Sequence, residues 1–151
     1  MDFTLSEEQQ LIRQAAREFA EGVVGPTAAA RDREHRFPLE EFRQAGELGF
    51  CGLLVPEAYG GSDLGTMGQA LVVEELSRVC ASTGVTVAVH NGLACGPIVR
   101  FGTEAQKQAW LPKLASGEAL GAYALSEAGA GSDAAALRCK AERDGDDWIL
   151  D

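Results

Sequence analysis

Between Tyr123 and Asp133 the chain reads Tyr-Ala-Leu-Ser-Glu-Ala-Gly-Ala-Gly-Ser-Asp, with hydroxyls at Ser126 and Ser132 flanking glycines at 129 and 131. Glycine lets the backbone approach a ligand and leaves its amides uncovered. A run of such amides suits a pyrophosphate or the polar edge of a ring system. The same residues also describe a plain Gly-rich surface turn, and taken alone they leave the two readings level. Two carboxylates, Glu127 and Asp133, stand in the stretch. A carboxylate beside glycines invites an acid–base reading, but a side chain that fastens the loop is the reading preferred for both.

A rival motif overlaps this one. Gly129-Ala130-Gly131-Ser132-Asp133-Ala134 fits the G-x-G-x-x-A dinucleotide fingerprint, which also follows a strand. That fingerprint needs several turns of helix next, then a parallel strand. Here Leu137, Cys139 and Ala141 instead alternate with Arg138, Lys140 and Glu142. Asp144-Gly145 then signals a hairpin, with Trp148 and Leu150 on the return strand. An NAD-binding module is therefore disfavoured.

The elements that must position this segment read as helices up to about residue 119. Thr4-x-x-Glu7 and Ser6-x-x-Gln9 are overlapping capping boxes. Leu11, Ile12, Ala15, Ala16, Phe19, Ala20 and Val23 follow as one apolar stripe. Gly25-Pro26 predicts an interruption, with Pro26 opening a short second helix that carries Arg31 to Glu34. A third helix is expected from Pro38 through Phe42 and Leu48, stopping at Gly49.

After the apolar run Phe50 to Val55 and the Tyr59-Gly60-Gly61-Ser62 loop, a fourth helix carries Val72, Val73, Leu76, Val79 and Cys80 on one face. Val85 to Phe101 is apolar nearly all round, as a helix buried on several sides would be, with a kink or restart at Gly96-Pro97. Thr103-x-x-Gln106 caps a last helix whose Trp110 reads as packing against its neighbours. Near residue 120 the period switches to two, so that Tyr123 and Leu125 read as strand. The chain stops at Asp151 within the expected return strand, which predicts a piece of a longer protein.

Composition narrows the partners. A net charge of −10 argues against nucleic acid or an anionic membrane surface. Four scattered cysteines and two histidines show no zinc-like spacing, so reduced thiols without a metal are expected. Met1-Asp2-Phe3 lacks a basic, apolar leader and no stretch is long enough to span a bilayer, so the expected setting is cytoplasmic.

Ala124 to Ala136 resembles the signature of the acyl-CoA dehydrogenase family: a small residue, an aliphatic, Ser or Thr, Glu, then Gly-Ser-Asp. Val55-Pro56-Glu57-Ala58-Tyr59-Gly60-Gly61 resembles the same family. So does Phe101-Gly102-Thr103-Glu104, with Gln106-Lys107 and Trp110-Leu111-Pro112-Lys113-Leu114 after it. The likeness spans essentially the whole chain. One departure is Ala128, where the family often has proline, which loosens the loop without abolishing binding.

The resemblance implies a mainly α fold: a helical N-terminal domain over residues 1–119, then the first strands of a β-barrel domain over 120–151, truncated. It further implies FAD-dependent oxidation of an acyl-CoA, short or branched, to the trans-2-enoyl-CoA within fatty acid β-oxidation. Electrons would pass to electron-transfer flavoprotein, and the enzyme would be a homotetramer or other homo-oligomer. Tyr123, Ala124, Leu125 and Ser126 would lie along the flavin ring. Gly131 and Ser132 would approach its pyrophosphate, and Ser132 the CoA moiety.

His90, beside Asn91, would belong to the wall of the acyl pocket, although a lone histidine on an apolar helix reads first as a satisfied core residue. The catalytic base, and a further Trp-Ile-Thr flavin contact, would lie beyond Asp151. Glu127 and Asp133 then serve to hold the loop, and the 151-residue chain alone is expected to be inactive. Two alternatives are a flavin-dependent relative acting on a non-CoA substrate and a ligand-free helical interaction domain.

Overall fold

The computed structural model describes residues 4–151. Its helices are α1 (Glu7–Phe19), α2 (Gly25–Glu34), α3 (Leu39–Glu47), α4 (Gly65–Val79), α5 (Ala81–Val89), α6 (Gly96–Phe101) and α7 (Glu104–Ala115). An antiparallel hairpin, β1 (Ala141–Asp144) and β2 (Asp147–Leu150), closes the chain. No described helix is long and apolar enough to cross a membrane.

Both predicted capping boxes built on glutamine form. Ser6 Oγ accepts from the Gln9 amide at 3.2 Å while Gln9 Oε1 accepts from the Ser6 amide at 3.1 Å. Thr103 and Gln106 repeat the arrangement at the start of α7. Each box satisfies amides that the first helical turn cannot.

The break expected at Gly25-Pro26 does not occur. Helical dihedrals continue from α1 into α2 through a π turn, Ala20–Val24, and from α5 into α6 through another, His90–Cys95. Each π turn sits directly before a Gly-Pro pair. Proline lacks an N–H and its ring presses on the carbonyl four residues back, and one extra residue in the turn makes room for it. The sequence showed both prolines but not the device that absorbs them.

The core forms where α1, α3, α4 and α5 meet. Phe19, Phe42, Phe50, Leu53, Leu76 and Val87 are all within it, with the Phe19 and Phe50 rings edge-on at 5.9 Å. A smaller cluster of Val55, Cys95, Leu111 and Leu114 sits under α7. Burying a side chain of this size contributes about 1.5–3 kcal/mol. Buried charge is paired: Arg31 meets Glu41 and Thr27 and donates to the Val24 carbonyl at 3.2 Å.

Two expectations need correction, and a third holds only on the exposed side of its helix. Residues 120–126 are not a strand, because no described strand lies alongside to take their amides and carbonyls. Leu137 and Cys139 likewise precede the ladder, which Lys140 and Asp151 open at 2.6 and 3.1 Å. Trp110 is 55% exposed and forms a shallow apolar hollow with Pro97, Ile98 and an 83% exposed Phe101. Its face of α7 points away from the core that Leu111 and Leu114 enter. The hairpin forms as predicted, shifted by one residue: Asp144 pairs with Asp147 across Gly145-Asp146, and Gly145 has φ +62°. A positive φ at the first central position alone is the type II′ pattern.

Candidate functional site

The chain leaves α7 under control of two backbone anchors. The Ala119 amide donates to the Lys113 carbonyl and the Gly121 amide to His90 Nδ1, both at 3.0 Å. Tyr123, Ala124, Leu125 and Ser126 then run out along the surface, exposed. A tight turn follows, in which Glu127 and Ala130 exchange backbone hydrogen bonds of 3.0 and 3.2 Å.

The two carboxylates of the stretch are spent on amides. Glu127 Oε2 accepts from the Arg138 N–H and Oε1 from the Cys139 N–H, each at 2.9 Å, which ties the turn to the segment entering the hairpin. Asp133 Oδ1 accepts from the Ala135 N–H at 3.2 Å and opens the single 3₁₀ turn Ala134–Ala136. Both therefore fasten the loop, as the resemblance implied. That one short turn, followed by a hairpin, also removes the dinucleotide reading, which requires a long helix whose N-terminus faces the phosphates.

What the loop leaves free is a set of donors. The amides and hydroxyls of Ser126 and Ser132, and the amides of Leu125 and Gly131, make no protein hydrogen bond among the described residues. A Cβ placed on Gly129 or Gly131 would meet nothing within 4 Å, so these glycines are not required by packing within the chain. Exposed amides and hydroxyls beside an exposed Tyr123 and Leu125 match the donor set that a ring system carrying a pyrophosphate needs. A cavity of about 500 Å³ opens beside Glu127, Gly129, Arg138 and Cys139. A larger one, about 730 Å³, lies apart, among Arg31, Phe37 and Cys80.

His90 is fully buried, in edge contact with Phe42 at 5.0 Å. Its Nε2 faces the Leu114 carbonyl at 2.9 Å and its Nδ1 takes the Gly121 amide. Burial holds its pKa below the ordinary histidine value, partly offset by the Leu114 and Cys51 backbone. No hydrogen bond links it to Ser126 or Ser132; its partners are those of a satisfied core residue.

Sequence reading missed the matching role of Asn91. It accepts from the Leu53 N–H at 2.8 Å and donates to the Phe50 and Val87 carbonyls at 2.9 and 3.0 Å. A polar pair inside an otherwise apolar helix was the available signal. Among the described residues no cluster of His, Cys, Asp and Glu is arranged to hold a metal, and all four cysteines are free thiols.

Known proteins give this geometry its context. The family model described as acyl-CoA dehydrogenase, N-terminal domain, matches residues 6–118. The short-chain specific acyl-CoA dehydrogenase of Bos taurus mitochondria is 47% identical over 146 residues, 97% of this chain and 35% of its own length. A solved chain described as electron transferring flavoprotein of Acidaminococcus fermentans superposes at TM-score 0.92 with 45% identity, over 99% of this chain and 40% of that one. Acyl-CoA dehydrogenase complexed with FAD from Bacillus anthracis does so at TM-score 0.88 with 37% identity, over 97% of this chain and 25% of that one. The chain thus spans about a third of the bovine relative's length. With the helical layer matched from 6 to 118, the chain belongs to the acyl-CoA dehydrogenase family.

Proposed function

We propose that the chain forms part of an FAD-dependent acyl-CoA dehydrogenase that converts a short acyl-CoA to its trans-2-enoyl thioester. The observation carrying this reading is the loop from Leu125 to Ser132, in which the Leu125, Ser126, Gly131 and Ser132 amides and both serine hydroxyls make no protein hydrogen bond while Glu127 and Asp133 hold its shape. When bound, FAD supplies the acceptor for the hydride leaving the substrate β-carbon. A carboxylate from beyond Asp151 would take the α-proton, so that the proton leaves on one group and the β-hydrogen, with both electrons, on the other.

Within this chain Tyr123, Ala124, Leu125 and Ser126 would line the ring, and the Leu125 and Ser126 amides with the Ser126 hydroxyl would donate to its polar edge. Donors placed there favour added negative charge on the ring, which is how a protein tunes such a group. Gly131 and Ser132 would hold the pyrophosphate, with Ser132 also reaching the CoA moiety. Electron-transfer flavoprotein as acceptor, and assembly into a homo-oligomer, belong to the same proposal. The likeness to the bovine short-chain enzyme supports the acyl length.

The test is the visible spectrum of the full-length protein before and after butyryl-CoA. A flavin spectrum that bleaches on addition is expected. Flavin without bleaching would move the substrate outside acyl-CoA thioesters, and absence of flavin would sink the proposal.

A further inference from the structure

We propose that His90 is a positioning residue: its Nδ1, acting only as a hydrogen-bond acceptor, pins the lead-in of the ligand loop to the helical layer through the Gly121 amide. The inference rests on the proposed flavin role of that loop for its functional consequence, though not for its geometry. Nδ1 stands 3.0 Å from the Gly121 N and Nε2 stands 2.9 Å from the Leu114 O. A backbone amide only donates and a carbonyl only accepts, so the ring must carry its proton on Nε2 and keep Nδ1 bare.

Gly121 is held as closely as a chain can be. A Cβ there would collide with the Ala94 side chain and stand 3.4 Å from Nδ1 and 3.5 Å from Leu114 Cδ2. Tyr123, the first residue assigned to the ring, follows two positions later. Between Gly121 and the Glu127 turn no other protein hydrogen bond holds the backbone among the described residues. The run is therefore suspended between two fasteners, with Nδ1 at one end and the Glu127 carboxylate at the other.

The two ring nitrogens can be separated by substitution. The Asn amide oxygen stands near the place of Nδ1, whereas the Gln amide nitrogen stands near that of Nε2. In the full-length protein His90→Asn keeps the acceptor for Gly121, and His90→Gln keeps the donor for Leu114. Amide hydrogen exchange across 118–126 and the flavin absorption band are the two readouts. With His90→Gln, exchange at Gly121 is expected to quicken about tenfold, the factor for one lost net hydrogen bond, and the flavin band to shift or weaken. His90→Asn should leave both close to wild type, even if its melting temperature falls.

Equal behaviour of the two variants, in either direction, would overturn the proposal. The wild type tests it without any variant: Gly121 must exchange as slowly as core helical amides despite lying outside secondary structure, and rapid exchange there overturns it too. If the wild-type protein holds no flavin, the enzymatic reading fails while the exchange measurement still decides the role of His90.

Discussion

Arg17 on α1 grips Glu75 on α4 with two hydrogen bonds, Nη2 to Oε1 at 2.7 Å and Nε to Oε2 at 3.1 Å. Glu75 is buried, and Arg78 completes its shell from within α4 at 3.2 Å. A carboxylate deprived of water needs these donors, since burial alone would favour its neutral form. The pair therefore sets how α1 lies on α4.

Arg17, and after it Arg78, hold the Glu75 carboxyl below the ordinary carboxylate range, outweighing burial. The unfolded chain then takes up the proton more readily than the folded one, so this stability is present above about pH 4.5 and fades as pH falls through the lower folded value. Glu75→Gln should lower stability on the order of 1 kcal/mol at neutral pH, modest because the arginines stay half in solvent and are screened. Its denaturation midpoint should also change less than wild type's on acidification, as urea titrations at several pH values would read.

His90 works in the opposite ionic sense but with the same slope. Its pKa is held down by burial, and the titratable groups the structure places against it are the Cys95 thiol at 3.7 Å and Cys51 through its backbone, both thiols pushed up to about 12 and so neutral. From α3 it meets Phe42, and from α7 a carbonyl. Stability from the neutral ring is complete above about pH 6.5 and falls as pH drops from there toward the folded value. His90→Asn should flatten the stability curve in that window, and a parallel slope in wild type and variant would refute the assignment.

Gly131 has open space around a would-be side chain, so Gly131→Val should leave folding of this chain nearly unchanged. In the full-length protein it should weaken flavin retention by about tenfold or more, read by equilibrium dialysis. Undiminished flavin would show that the pyrophosphate does not lie against Gly131.

Glu127→Ala removes the acceptor of the Arg138 and Cys139 amides. Because these amides are exposed, stability should drop by only about 0.5–1.5 kcal/mol. Exchange at both amides should accelerate while α1 to α7 keep their protection. Protection unchanged at 138 and 139 would show that the clamp is not made.

The thiols should sort by surroundings. Cys139 is exposed and Cys80 half-buried, whereas Cys51 and Cys95 are enclosed. A thiol reagent at about pH 8 should label Cys139 first and reach Cys51 and Cys95 only on unfolding. Mass spectrometry of labelled peptides gives the order directly.

Much of this was legible in the chain. Capping boxes at Ser6 and Thr103 and the Asp144-Gly145 hairpin signal are local rules, and local rules survive folding. Glu127 as a fastener came from resemblance, and its two amide partners bear it out. What escaped was set by distant partners. Tyr123 to Ser126 alternate like a strand, but a strand exists only where another offers its edge. His90 and Asn91 stood out as a polar pair in an apolar helix, but nothing local named the segments, some 30 to 40 positions away, that each would clamp. Trp110 reads as packing against its helical neighbours, and it does meet Pro97, Ile98 and Phe101, though on the exposed face of its helix.

The π turns before Pro26 and Pro97 carry a consequence for how the chain can vary in length. Each stores one residue beyond the α repeat, so everything downstream is rotated by about 100° relative to an unbroken helix. Deleting a residue from 92–95 would restore the α phase, drive the Pro97 ring onto a carbonyl, and turn Ile98 and Val99 of α6 off the cluster beneath α7. Such a deletion should be far more damaging than one in the Tyr59-to-Ser62 loop, because it would take α6 out of register with the buried Leu111 and Leu114 in a single step.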